Sequence, residues 1–159
     1  MLLFKLFGAF LTVFSGVMLS VTLNRRASLA LRRAEGWARL IGQIKREIEC
    51  FSLPASDILA RVDGELLTLC GYCGKEAPRN MGALLSGTVF CDGETMRIAR
   101  SFASEFGRCY REEQVERCAY FLSLMEERRR TLASEMPSRR RLNMTLCMSG
   151  SLCALILLL

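Results

Sequence analysis

The stretch 37–51, "WARLIGQIKREIECF", decides the fold of this chain, because its apolar residues recur with the period of an α-helix. Six residues stand at i, i+3, i+4, i+7, i+11 and i+14 and therefore share one side of a helix: Trp37, Leu40, Ile41, Ile44, Ile48 and Phe51. We predict that this amphipathic helix begins near Ser28. It ends at "SLP", because Pro54 disfavours helical geometry at Leu53.

The rest of the segment 24–141 also has the apolar spacing of helices. It has no run of alternating apolar and polar residues, which would be typical of a strand. The predicted helices cover residues 55–62, 65–72, 93–106 and 110 to about 136. Asp92 is a suitable N-cap for the third of them, and Gly107 is its natural stop. The segment 79–89 fits a helix and an extended strand equally well.

A heptad pattern marks the last of these helices. Its apolar positions are Val115, Cys118, Leu122, Met125, Leu132 and Met136. Arg129 interrupts the pattern at a position that should be apolar. Pro137 is predicted to end the helix, because proline breaks the helical hydrogen-bond pattern.

Two uncharged ends flank the middle segment. Residues 6–23 and residues 142–159 are each a run of 18 positions without a charge. A helix of 18 residues rises about 27 Å, close to the hydrocarbon thickness of a bilayer. We therefore predict an all-α protein, with a small cytosolic helical bundle at 24–141 between transmembrane helices at 1–23 and 142–159. A cleaved signal peptide is the alternative for the first end, although no convincing small-residue cleavage site follows it.

The distribution of charge supports this arrangement. The middle segment carries 21 of the 22 basic residues and all 16 acidic ones, and arginines cluster next to both ends. Segments rich in basic residues next to a membrane span stay in the cytosol, which predicts a cell-membrane protein with a cytosolic middle domain. The arginines beside the membrane would meet anionic lipid, so we expect membrane lipid rather than nucleic acid as a partner.

Small residues recur every four positions in the first apolar end, at Gly8, Thr12, Gly16 and Ser20. This spacing lets another helix approach closely, and it predicts a helix-packing face that could also support a homo-oligomer. The alternative is that small residues are simply common in membrane spans.

The motif "CGYC" at Cys70–Cys73 has three interpretations. A thiol–disulfide enzyme would place the pair at the start of a helix after a strand, but Gly74 suggests that the pair closes a helix. A zinc site would need further close ligands, and the chain has no histidine. We favour the third interpretation, in which both thiols share a helix face with Leu66 and Leu67 and pack inward.

Residues for catalysis are not apparent. Without histidine the chain cannot form the usual acid–base or triad arrangements, and it lacks phosphate-binding glycine motifs. We therefore expect no catalytic, cofactor-binding or metal-binding residues.

Two patterns then suggest a family. "REIECFSLPASDIL" at 46–59, with Glu47 and Pro54, and "FGRCYREEQ" at 106–114, with Gly107 and Gln114, occur in this order between the two apolar ends. In these features the chain resembles the stage III sporulation protein AB family of endospore-forming bacteria. It departs from the family pattern at Cys109-Tyr110, where the family has Ser-Asp.

The resemblance implies a function as well as a fold. Such proteins resemble the cytoplasmic domains of inner-membrane platform proteins in type II secretion and type IV pilus systems. By that resemblance the chain would be a non-enzymatic scaffold of the channel between mother cell and forespore, on the mother-cell side of the outer forespore membrane. Its partners would be a secretion-type ATPase and other membrane proteins of the channel. Glu47, Pro54, Gly107 and Gln114 would brace the bundle or bind partners, and the rival function is a membrane-tethered thiol–disulfide oxidoreductase that uses Cys70 and Cys73.

Overall fold

The computed structural model describes the backbone of residues 2–51 and 55–158 and the side chains of 14–51 and 57–150. Six helices follow one another along the described residues: α1 (Leu2–Phe51), α2 (Ala55–Ala60), α3 (Gly64–Cys70), α4 (Met81–Ser86), α5 (Gly93–Glu105) and α6 (Arg111–Leu158). Over these residues there is no strand, and extended backbone pairs at one isolated antiparallel bridge, between Tyr72 and Thr88. The prediction of an all-α helical bundle is confirmed.

The chain divides into two compact units. Residues 29–132 form the larger unit, and residues 1–28 with 133–159 form the other. Both long helices contribute to each unit. The helix that was predicted to begin near Ser28 is part of α1, which continues without a break from Leu2, so the predicted start is wrong.

The core of the 29–132 unit is built around the predicted apolar side of α1. Trp37 is fully buried and stacks on Phe90, with ring centroids 5.7 Å apart. Leu40, Ile41, Ile44 and Ile48 are buried along the same side, as the spacing predicts. These residues join apolar side chains from α2 to α6 in one cluster.

The predicted burial of Phe51 is wrong, because its side chain is 62% exposed. Phe51 is the last residue of α1, where the helix leaves its final carbonyl groups without intrahelical donors. Arg111 of α6 supplies donors there: its Nε donates to the Ile48 carbonyl at 3.1 Å, and its Nη2 donates to the Glu49 carbonyl. A guanidinium group, and not an aromatic ring, therefore closes this end of α1.

The buried positions of α6 agree only in part with the predicted heptad. Cys118, Met125 and Leu132 are buried as expected, but Phe121 is the buried residue where Leu122 was predicted. Phe121 packs edge-on against Phe102 of α5, with centroids 5.6 Å apart. The helix also continues through Pro137, so the prediction that this proline ends it is wrong.

Membrane spans are not found in the described part of the chain, where no helix is both long and apolar enough to cross a bilayer. This finding corrects the predictions of two transmembrane helices and of a cell-membrane location.

Candidate functional site

The motif Cys70–Cys73 lies where α3 ends. Asp63 caps the start of this helix by accepting a hydrogen bond from the Glu65 amide at 3.2 Å. Gly71 ends the helix in a left-handed conformation, with φ of 94°, which favours glycine. Cys70 thus occupies the last turn, whereas Cys73 follows the helix and donates its amide to the Gly87 carbonyl at 2.9 Å.

The two thiols have different surroundings. Cys70 is fully buried, as predicted, but Cys73 is exposed, and the prediction that both pack inward is wrong because the helix stops between them. Burial raises the pKa of the Cys70 thiol to about 12. The negative end of the helix dipole also lies at this terminus and disfavours a thiolate. Because attack on a disulfide needs a thiolate, this geometry does not favour Cys70 as a redox nucleophile.

Alkylation of the folded protein should therefore distinguish Cys70 from Cys73 by their reactivity. With iodoacetamide at neutral pH, we expect mass spectrometry to find Cys73 modified and Cys70 unmodified until the protein is unfolded with denaturant. Cys118 provides an internal control, since it too is buried and burial raises its pKa to about 11. Modification of Cys70 in the native protein at the rate of Cys73 would contradict this description of the motif.

Gly107 and Gln114 are brought together at the turn between α5 and α6. Gly107 has a left-handed φ of 80°, and its amide donates to the Gln114 side-chain Oε1 at 3.1 Å. Gln114 is only 6% exposed. Its Nε2 finds no acceptor within the described residues. The pair braces the turn from inside the protein.

Glu47 lies on α1 opposite the residue that follows α2. Its carboxylate oxygen Oε2 is 4.0 Å from Nη1 of Arg61, and this buried oxygen accepts no hydrogen bond from a described residue. Pro54 lies outside the described residues. The structure therefore does not bring Glu47 to the Gly107–Gln114 pair as part of one bonded site.

The structure describes the side chains of two of the four residues in the predicted small-residue face. Ser20 is 9% exposed and Gly16 is half-buried, whereas Val17, Met18 and Leu19 between them are exposed. Gly8 and Thr12 lie outside the described side chains. Within the same unit, Asn143 Nδ2 donates to Asn24 Oδ1 at 3.3 Å, which joins α6 to α1.

Asp92 and Arg128 form an ion pair that the sequence pattern did not reveal. The arginine donates through Nη2 to Oδ1 at 2.7 Å and through Nε to Oδ2 at 3.0 Å. Both side chains are at least four-fifths buried. Asp92 also caps α5, accepting from the Thr95 amide at 2.9 Å and from its hydroxyl at 2.7 Å. The capping role was predictable from sequence, but the partner on α6 was not.

A groove of about 840 Å³ runs along α1 between α3 and α6. Ala38 and Gly42 of α1 contribute small residues to its floor. Leu66, Leu69 and Leu122 contribute half-buried apolar side chains from the neighbouring helices. Seven ionisable residues complete the lining: Glu35, Arg39, Arg46, Asp63, Glu65, Glu126 and Arg129. Arg129, which interrupts the predicted heptad, therefore faces the groove.

The described side chains bring no three potential metal ligands together. No protein-family model, curated protein or solved structure matches this chain. The site must therefore be interpreted from its own residues.

Proposed function

We propose that this chain is a non-enzymatic scaffold subunit of the channel complex between mother cell and forespore. In this role it docks a secretion-type ATPase together with other channel proteins. The proposal combines the resemblance at residues 46–59 and 106–114 with the chemistry of the groove.

The groove is the observation that carries the docking role. The described residues that line it include no cysteine, serine or threonine that could act as a nucleophile, and they combine apolar walls with charged edges. Interfaces have this composition, with an apolar centre and a polar rim. The braced turn at Gly107 and Gln114 supports a rigid scaffold, because that part of the resemblance pattern serves internal hydrogen bonding.

Affinity purification from sporulating cells tests the proposal. A tagged full-length chain should recover the companion secretion-type ATPase, identified by mass spectrometry against cells that express the tag alone. Recovery of the chain without any channel component would contradict the proposal.

The double variant Cys70→Ala/Cys73→Ser separates this function from the rival thiol oxidoreductase. A scaffold should still recover the ATPase and support sporulation after both thiols are removed. An oxidoreductase would lose its function while the helical circular dichroism spectrum remained unchanged.

A further inference from the structure

The unit of residues 1–28 and 133–159 contains a helix pair, whose described side chains are those of 14–28 on α1 and 133–150 on α6. Ser20 of α1 is only 9% exposed. Asn24, four positions later on the same side of the helix, accepts a hydrogen bond from Asn143 of α6 at 3.3 Å. The side of α1 that carries Ser20 therefore faces α6 of the same chain and is not available to a second chain.

Charge is segregated along this helix pair. Leu122 of α6 lies beside Gly42 of α1, whereas Asn143, further along α6, bonds to a residue of α1 that precedes Gly42. The two helices are therefore antiparallel, and the uncharged stretches 14–24 and 142–150 lie at the same end of the pair. The charged residues of the described pair all lie at the other end. They are five exposed arginines and one glutamate: Arg25, Arg26, Arg139, Arg140, Arg141 and Glu135.

The uncharged end of the pair exposes an apolar surface. Nine large apolar side chains within residues 17–23 and 142–148 are between 39% and 62% exposed. They are Val17, Met18, Leu19, Val21, Leu23, Leu142, Met144, Leu146 and Met148. At about 30 Å² for each methylene group, their exposed parts amount to roughly 600 Å². A surface of this size reaches the upper end of the apolar patches on monomeric proteins and marks an interaction site.

The threonine hydroxyl groups on the same surface already have hydrogen-bond acceptors. Thr22 donates to the Met18 carbonyl at 2.8 Å, and Thr145 donates to the Arg141 carbonyl at 2.9 Å. A partner that covers the surface would leave both bonds in place. Its binding therefore avoids the free-energy cost of burying these hydroxyl groups without acceptors.

The composition of the surface fits a second copy of the chain better than a transient protein partner. Interfaces of non-obligate complexes are about as polar as the rest of a protein surface, whereas homodimer interfaces are more apolar and resemble a core. Two helix pairs that pack together form a four-helix bundle, a stable arrangement for apolar helices. Surfaces of roughly 600 Å² from each copy bury about 1,200 Å² in total, which is the lower end of specific, stable interfaces.

We infer that the uncharged end of the helix pair packs against the same end of a second copy, with the two pairs in opposite directions. This orientation places the two arginine clusters at opposite ends of the four-helix bundle. Packing in the same direction would bring the clusters together and oppose the association by charge repulsion. Self-association of this kind goes beyond the proposed function and does not depend on it.

Two matched double variants of the full chain test the surface. Val17→Glu/Leu146→Glu replaces apolar side chains that are 54% and 61% exposed, and Val89→Glu/Phe51→Glu replaces equally exposed ones, 54% and 62%, in the unit of residues 29–132. In detergent-free light scattering, we expect wild type to have twice the mass of one chain. The dissociation constant should rise about a hundredfold in the first variant, because dimerisation would desolvate two charges. The second variant should keep the wild-type value.

Arg25→Gln/Arg140→Gln tests the orientation. Because opposite directions keep the arginine clusters apart, this variant should change the dissociation constant by less than about twofold. A dimer about tenfold tighter than wild type would mean that the clusters repel each other in the wild-type dimer, and would overturn the opposite orientation.

The inference is wrong if the wild type is a monomer at every concentration, or if Val17→Glu/Leu146→Glu dimerises as tightly as wild type. A monomeric wild type that binds vesicles of phosphatidylcholine and phosphatidylserine, and loses that binding in the same variant, would replace the second copy by a lipid surface. Unchanged helical circular dichroism and Trp37 fluorescence show that each variant is folded.

Discussion

Asp92→Ala should lower the free energy of unfolding by about 3 kcal/mol, the largest effect that we expect from a single polar substitution. Loss of the α5 N-cap accounts for about 1 kcal/mol. The remaining loss, about 2 kcal/mol, arises because the largely buried Arg128 guanidinium loses its bidentate acceptor. Denaturant unfolding measured by the fluorescence of the single tryptophan, Trp37, reports on this unit because Trp37 lies in its core.

A double-mutant cycle isolates the ion pair from the cap. Asp92→Asn, Arg128→Met and the double variant should show that the two single losses are not additive. Glu94→Ala is the control, since Glu94 makes an ion pair with Arg97 on the same helix but on its exposed side. That change should alter stability little. Additive losses at Asp92 and Arg128 would mean that the contact contributes no coupling energy.

The same contact makes stability depend on pH. Burial alone would raise the pKa of Asp92, but the hydrogen bonds from Arg128 and Thr95 and the arginine charge outweigh it and lower the pKa to about 2. Because the folded pKa lies below the unfolded value, the stabilisation is complete above about pH 4 and is lost as the pH falls toward 2. This linkage amounts to about 2 kcal/mol, and Asp92→Asn should remove that part of the acid destabilisation.

Gly36→Ala should destabilise the protein by about 2 kcal/mol, even though alanine is the better helix former. The added Cβ would lie 2.7 Å from backbone carbon of Leu69, so α3 must move away from α1. Gly42→Ala on the same helix is the matched comparison. It should raise stability by about 0.5 kcal/mol, because its Cβ would meet only the two methyl carbons of Leu122 at 3.9 Å, an ordinary contact.

Denaturant midpoints of both alanine variants, followed by Trp37 fluorescence, give the comparison directly. A stabilised Gly36→Ala variant would show that α3 does not rest on the α1 backbone. A strongly destabilised Gly42→Ala variant would show that the groove floor is packed.

The contacts that join distant parts of the chain were less predictable than the helices. Phe121 and Leu122 are both apolar neighbours on α6, and a shift of one residue turns the helix by about 100°. The heptad therefore indicated a helix but placed Leu122 inward, whereas the ring of Phe102 on α5 packs against Phe121 and buries it instead. Cys70 is buried and Cys73 is exposed because the left-handed Gly71 ends α3 between them. The sequence does not show which elements pack beside α3, and that packing decides which thiol is buried.

By itself the sequence determined the all-α class, the buried side of α1 and the Asp92 cap, because periodicity and capping act between residues a few positions apart. Only the tertiary structure decided that Arg128 is the partner of Asp92, 36 positions away, and that Gly36 has no room for a Cβ while Gly42 has. The physical reason is that a glycine, an arginine or a thiol carries no local signal of what faces it. The group that faces such a residue depends on which helices pack together, and packing is a property of the whole core.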